Sequence, residues 1–493
     1  MRGVFEPAYS AYSAIYPHLG IIANTVRDML PRVADPDNAY WLYQGELPSF
    51  KRVVVGTYDV LSTIHPNYLF VAFFFVLTFA VLYIKVKYPF WNQLPALHIY
   101  DWHRRFVYRE TPYIVHYPLA KKTKYYEPKL VSTKQFQMMT YDEKMEIVKL
   151  MQSSYFPSDR VFCSLTYKDI EAQLKDAVVS TFNQIEEDIV LLNNLNTGNS
   201  DNDHEERIER IAKNRKMEGI ATSRRIHFAI SLGKEDARTI IYENGTVLDY
   251  LCFHRNCTTP IKCRKLFHTH YYNCRQVWPD RNIMLFKKEV ELCDAIVPLV
   301  EFDTYTFYMR HTIQPAKLPP TFQIVRIQKE HTEHLHDWME RIASLNEYAG
   351  FRVSITAEIG DLVHLLQTNQ MYAYVLRGRD TSAYAIYFFR NAHMKYEDLN
   401  GGDTLHSVAA FCNTNNNALF FIGYLWAIKE ARKDMTGQET KMVMIDDIGH
   451  LRGIVQQWKT THDVVLQTKC AYYFCNYILP RSPYKAGEVN ILF

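Results

Sequence analysis

Residues 239–254 read TIIYENGTVLDYLCFH, and the rest of the chain organises around this run. β-Branched and aromatic residues dominate both of its halves, the composition of strands rather than helices. Asn244-Gly245 between them is a strong hairpin signal, which predicts a strand TIIY, a turn, and a second strand VLDYLCF. IHFAISL (226–232) reads as a further strand just before it, and LFHTHYYNCRQV (266–277) as a helix just after. Strands leading into a helix make one α/β unit.

Working outward, the same unit is used twice. In the first half, Tyr141 to Phe156 has the spacing of an amphipathic helix. Gln184 to Lys213 is a charged helical stretch broken by the solvated loop NTGNSDND. Pro315, Pro319 and Pro320 mark a boundary between halves. The second half offers the strand TFQIVRI, a helix over His334 to Leu345, the strand pair MYAYVLRGR and AYAIYFFRN, and the strand LHSVAAFCN. Ala418, Phe421, Ile422, Leu425 and Ile428 form an apolar helical stripe, and MVMID and AYYFCNYIL complete a sheet.

The whole chain has 493 residues, enough for two or three domains. With 48% hydrophobic and 22% charged residues it is neither disordered nor fibrous, and a net charge of +3 excludes a dedicated nucleic-acid binder. Nine cysteines with no CxxC pair argue against a disulfide-stapled secreted scaffold. Cys252, His254, Cys257, Cys263, His268, His270 and Cys274 lie close together, but their spacing fits no zinc ribbon or finger. They read as core residues, and no metal is expected. No GxSxG or HExxH motif supports a hydrolase or zinc protease.

The stretch Tyr68 to Ile84, YLFVAFFFVLTFAVLYI, contains no charge over 17 residues. At 1.5 Å per residue it spans roughly 25 Å, so residues 67–86 read as a retained transmembrane anchor. Lys85, Lys87, Arg104 and Arg105 follow it, against Lys51 and Arg52 before it. The positive-inside rule therefore puts the large carboxy-terminal part in the cytosol, and the sequons at Asn244 and Asn256 would stay unmodified. In the Tyr-rich segment 1–66, Ile15, Leu19, Ile22, Val26 and Leu30 recur at helical spacing.

Three segments in order resemble the N-myristoyltransferases. YPFWNQLP (Tyr88 to Pro95) is similar to the family's amino-terminal YxFWxxQP segment, VLDYLCFH (Val247 to His254) to its central strand, and YYFCNYILPRSPYKAGEVNILF to its terminal element. The resemblance implies an α/β (α+β) chain of two tandem GNAT-like domains, 87–312 and 313–493, after the transmembrane helix. FHTHYYNCRQ and LCDAIVPLVEFDTYTF also look like the versions carried by large DNA viruses.

By that resemblance, the backbone N–H groups of Tyr250 and Leu251 would form an oxyanion hole, and the carboxylate of Phe493 would be the base. Acyl-CoA (myristoyl-CoA) would lie against Tyr88, Phe90, Trp91 and Cys252, with its pyrophosphate near Lys262, Arg264 and Lys265. Asp446 would meet a glycine-terminated peptide or protein, although it could equally cap the helix beginning near His450. The pattern departs from the family at CTTPIKC (257–263), where Pro260 removes a donor, at Leu94, and at Phe286, which replaces a small hydroxyl residue.

Two functions follow as expectations. The first is a membrane-anchored acyltransferase that moves a fatty acyl group from acyl-CoA to an amino-terminal glycine. The second is a catalytically degenerate interaction protein of a large DNA virus, set among virion proteins between membrane and outer shell.

Overall fold

The computed structural model describes residues 66–101, 111–156, 160–184, 216–232, 239–255, 257–293, 295–309, 313–328, 335–337, 351–379, 383–397, 402–413, 416–436 and 441–493. The amino-terminal amphipathic helix, the stretch 185–213, most of the helix at 334–345 and the sequon at Asn256 lie outside these residues.

Two compact units emerge, Met1–Pro89 and Phe90–Phe493. In the first, helix α1 (Pro66–Lys87) covers the uncharged run and ends on Lys85 and Lys87. Apolar side chains project outward around it; Phe75, Phe79 and Val86 are 72%, 76% and 80% exposed. Among the described residues no helix is long and apolar enough to cross a membrane. The side chains of residues 66–70 and 72 in α1 lie outside that set.

The second unit is built on a long mixed sheet. Its main path uses β1 (Lys216–Leu232), β2 (Thr239–Phe253), β3 (Ile283–Glu289), β4 (Val300–Tyr308), β5 (Phe322–Arg326), β6 (Val353–Ala357), β7 (Met371–Gly378), β8 (Ala383–Tyr396), β9 (Asp403–Cys412), β10 (Met442–Asp446), β11 (Asp463–Cys475) and β12 (Val489–Leu492). Their spatial order is β12-β6-β1-β2-β3-β11-β4-β10-β9-β8-β7-β5. The halves interlock. β11, late in the chain, lies between β3 and β4, and β6 pairs with β1.

Helices α2 (Tyr141–Ser154), α3 (Tyr167–Gln173), α4 (Pro260–Val277), α5 (Ile359–Gln367), α6 (Asn417–Thr436) and α7 (Leu451–Thr461) cover the sheet. α2 and α3 begin with reciprocal capping boxes, Thr140 with Glu143 and Thr166 with Asp169. In the second half α6 and α7 bury Tyr424, Ile428 and Trp458 against Tyr387 and Phe307. In the first half α4 buries Leu266, Phe267 and Tyr271 against the sheet.

The hairpin expected at Asn244-Gly245 is absent. β2 runs straight through both residues, with Asn244 opposite His227 and Gly245 opposite Ile226. Gly245 serves close approach instead. A Cβ there would lie 2.4 Å from the Phe228 ring and 2.7 Å from the Ile283 carbonyl, just where β3 joins β2.

Candidate binding cleft at the splay of two strands

β2 and β3 run parallel from Gly245 opposite Ile283 to Leu248 opposite Phe286, and there the pairing stops. β2 continues along β1, while β3 continues along β11. The two strands therefore open like a V. At the same level β2 carries a bulge, since Thr222 faces Tyr250 while Ser223 faces Leu248, leaving Asp249 as the extra residue. The Tyr250 N–H donates to Thr222 Oγ1 at 3.2 Å, so this main-chain donor already has an acceptor.

A cavity of about 140 Å³ lies at this opening. Asp249 and Tyr250 line it from one arm of the V, Lys287 and Glu289 from the other, and Asp446 and Phe493 also border it. Phe493 arrives because β12 pairs in parallel with β6, Val489 opposite Val353 through Leu492 opposite Thr356. Its ring meets Tyr472 edge-on at 6.0 Å.

The polar lining is heavily paired. Arg224 donates twice to Asp249, Nε to Oδ2 and Nη2 to Oδ1, each at 2.7 Å. Burial opposes the Arg224 charge, but Asp249 outweighs it and the guanidinium pKa is raised further. Asp446 accepts from Thr304 Oγ1 at 2.6 Å and meets His406 Nε2 at 3.3 Å. Arg390 Nε–H donates to His406 Nδ1 at 3.2 Å, so a neutral His406 must carry its proton on Nε2 and donate it to Asp446. Burial lowers the His406 pKa despite Asp446, in agreement with a neutral ring. Burial alone would raise the Asp446 pKa, but Lys287, then His406 and Thr304, hold it well below the usual carboxylate range. Burial likewise disfavours the Lys287 ammonium, yet Glu289, 2.8 Å away, and Asp446 raise its pKa well above the ordinary lysine value.

The helix side of the V is filled by aromatic rings. The Trp91 indole lies parallel to Phe286 at 6.0 Å, and Phe286 stacks in turn on Tyr473 at 5.4 Å. Phe267 meets Phe286 edge-on at 5.3 Å, and Phe90 meets Trp91 at 5.0 Å. Leu94 and Leu251 pack into the same cluster. The segment carrying Trp91 is pinned by His98 Nε2 on the Trp91 carbonyl at 2.9 Å and by the Asn476 N–H on the Pro95 carbonyl. Tyr88 belongs to the other compact unit, with Lys87 Nζ 5.2 Å above its ring.

The three cations at the start of α4 do not converge on one point. Lys262 Nζ lies 2.7 Å from Oε2 of the buried Glu218, and Lys265 Nζ lies 2.9 Å from Glu127 Oε2. Arg264 stands over the Phe90 ring at 6.0 Å. Thr259 caps the helix, with Pro260 in its first turn.

Of the residues singled out from sequence, Tyr250, Asp446 and Phe493 meet at one cavity. Leu251 faces the aromatic cluster instead, and Cys252 is buried beside Ile220 and Val179, where burial pushes its thiol up to about 12. Asp446 is no helix cap, since α7 begins after His450 and lacks a side-chain cap. Among the described residues no group of His, Cys, Asp and Glu could hold a metal ion. His270 instead bridges Ser223 and Ser180 at 2.8 Å each. Sequence reasoning passed over Arg224, Asp249, Lys287, Arg390 and His406. Their signal was a charge or imidazole inside an otherwise apolar strand.

Solved structures of Saccharomyces cerevisiae N-myristoyltransferase with bound myristoyl-CoA are similar to this chain. One superposes with a TM-score of 0.58 at 9% identity, covering 82% of this chain and 91% of that one. A second gives 0.57 at 10% identity over 81% and 94%. This is the N-myristoyltransferase fold. No family model matches the sequence, and no curated protein matches it either. At such identity the likeness is one of fold.

Proposed function

We propose that this chain is a membrane-anchored binding protein on an N-myristoyltransferase fold. In this reading the cleft beside Asp446 receives a cationic or amine-bearing peptide segment, and the half of the fold that would take acyl-CoA has become packed core. The observation that carries the reading is the stack Trp91–Phe286–Tyr473, whose touching rings occupy the helix side of the V. Lys262 and Lys265, each paired with a carboxylate of the chain, add to it. A pyrophosphate would have to displace both carboxylates, one of them buried.

Anchoring through 67–86 rests on the uncharged run Tyr68 to Ile84 and the outward-facing apolar side chains of α1. Lys85 and Lys87 favour a cytosolic position for the part that follows. A setting in a virus particle, among virion proteins at a membrane, rests on FHTHYYNCRQ and LCDAIVPLVEFDTYTF alone.

A second reading, an active acyltransferase, is favoured by Phe493 bordering the same cavity as Tyr250. There the Tyr250 and Leu251 N–H groups would hold the thioester oxygen, and the Phe493 carboxylate would take the proton from an amino-terminal glycine.

Calorimetry of the full chain in detergent with myristoyl-CoA separates the readings. The binding reading expects no heat at micromolar concentrations and no transfer to a glycine-terminated peptide. Micromolar binding with transfer, abolished by deleting Leu492 and Phe493, would overturn it in favour of the acyltransferase.

A further inference from the structure

A second concavity, of about 470 Å³, lies far along the sheet from the cleft, at its open border. β5 is the last strand there. Among the described residues it pairs only with β7, so its outer edge presents backbone groups without a strand partner. Ile324 and Arg326 of β5 line the groove on one side. Trp426, Glu430 and Asp434 of α6 line the other, and their spacing of four puts them on one stripe of the helix.

The charges on that stripe are unequally matched. Asp434 accepts from Tyr374 Oη at 2.7 Å and pairs with Arg326 Nη1 at 3.1 Å. Glu430, one turn away and of the same sign, has no ion-pair partner among the described residues although it faces the groove. The nearby Lys429 is turned to the Trp426 ring, 5.0 Å from its centroid. Trp426 itself is fixed by its Nε1–H on the Ala316 carbonyl at 2.9 Å. Among the described residues the groove thus combines a strand edge without a partner, an apolar wall and one carboxylate without an ion-pair partner.

We propose that this groove docks an extended segment of a partner protein. The segment pairs along the free edge of β5 and lays an arginine or lysine side chain against Glu430. The edge selects a strand over a helix or a small molecule, because only a strand satisfies a row of alternating donors and acceptors. Glu430 selects the positive charge, and Leu318 and Ile324 give the aliphatic stem of that side chain a surface to cover. This docking is independent of the cleft reading.

The probe is a capped pentapeptide, Thr-Val-Arg-Val-Thr, titrated into the full chain in detergent and followed by calorimetry. Two further peptides carry Glu in place of Arg or Pro in place of the flanking valines. The Arg peptide is expected to bind at least about tenfold more tightly than the Glu peptide, with Glu430→Lys reversing that order. The Pro peptide, which cannot donate along a strand, is expected to lose at least about tenfold. The proposal is overturned if Glu430→Lys leaves the order unchanged, if the Pro peptide binds as well as the Arg peptide, or if none of the three binds at millimolar concentration.

Discussion

Lys262 Nζ and Glu218 Oε2 lie 2.7 Å apart, and the carboxylate belongs to a residue only 2% exposed. A cation that faces solvent in a phosphate-binding loop is here committed to an acid inside the protein. Glu218→Gln breaks this pair while keeping its shape and is expected to cost about 1–3 kcal/mol of stability. The urea midpoint measures it. Replacing both partners by methionine should cost less than the two single changes added together.

The aromatic stack makes a second prediction. Phe286 is buried and touches Trp91, Phe267 and Tyr473 at once, so Phe286→Ala should cost about 3–5 kcal/mol. If its ring closes an ancestral acyl path, heat with myristoyl-CoA should appear in the Phe286→Ser protein and not in the parent. A parent that binds as well as the variant would show the path to be open already.

Acid sensitivity follows from two core histidines. Burial lowers the His268 pKa to about 4 and the His270 pKa to about 3. The unfolded chain protonates its histidines near pH 6.5, so it binds more protons than the folded protein below that value. Stability from these rings is therefore complete above about pH 6.5 and is lost as pH falls toward 4. For His268 the loss between pH 7 and pH 5 should be about 2 kcal/mol. Comparing urea midpoints of the parent and His268→Gln at the two pH values checks it, since the variant should lose less. Asp446 titrates lower and does not interfere in that window.

The buried Arg224 and the half-buried Asp249 form a two-fold hydrogen-bonded pair at the bulge. Removing either charge alone, by Arg224→Met or Asp249→Asn, should cost about 3–5 kcal/mol. The double variant should recover much of that, giving a clear coupling energy in a double-mutant cycle. Additive losses would mean that the two groups do not depend on each other.

For α1 the measurement is flotation with lipid vesicles. The full chain should float, and Phe75→Arg with Val76→Arg should weaken retention, because each arginine near the middle of a span costs about 2.5–3.5 kcal/mol. Unchanged flotation would place the membrane contact elsewhere.

Much of this fold is legible in the sequence. AYAIYFFRN and MVMID fall within strands β8 and β10, and TFQIVRI, MYAYVLRGR and LHSVAAFCN overrun β5, β7 and β9 by no more than one residue at an end, because alternation or continuous apolar character survives in each. The misreading at Asn244-Gly245 has a local cause. The dipeptide that favours a tight turn also supplies the missing Cβ where β3 approaches, and only the third strand decides between these uses. The cleft was half legible. Tyr250, Asp446 and Phe493 stood out, whereas Arg224 looked like an ordinary strand charge because its partner, Asp249, lies 25 positions away. The pairing of Lys262 with Glu218 was hidden for the same reason, as charge complementarity across 44 positions leaves no local pattern.

β11 fills the gap between β3 and β4, two strands made long before it. During synthesis the growing polypeptide must carry two bare, sticky ladders until residue 463 emerges, and a fragment stopping short of it keeps them for good. Recombinant pieces of the first half should therefore clump or recruit chaperones, and the two halves are better produced as one translation product than mixed afterwards.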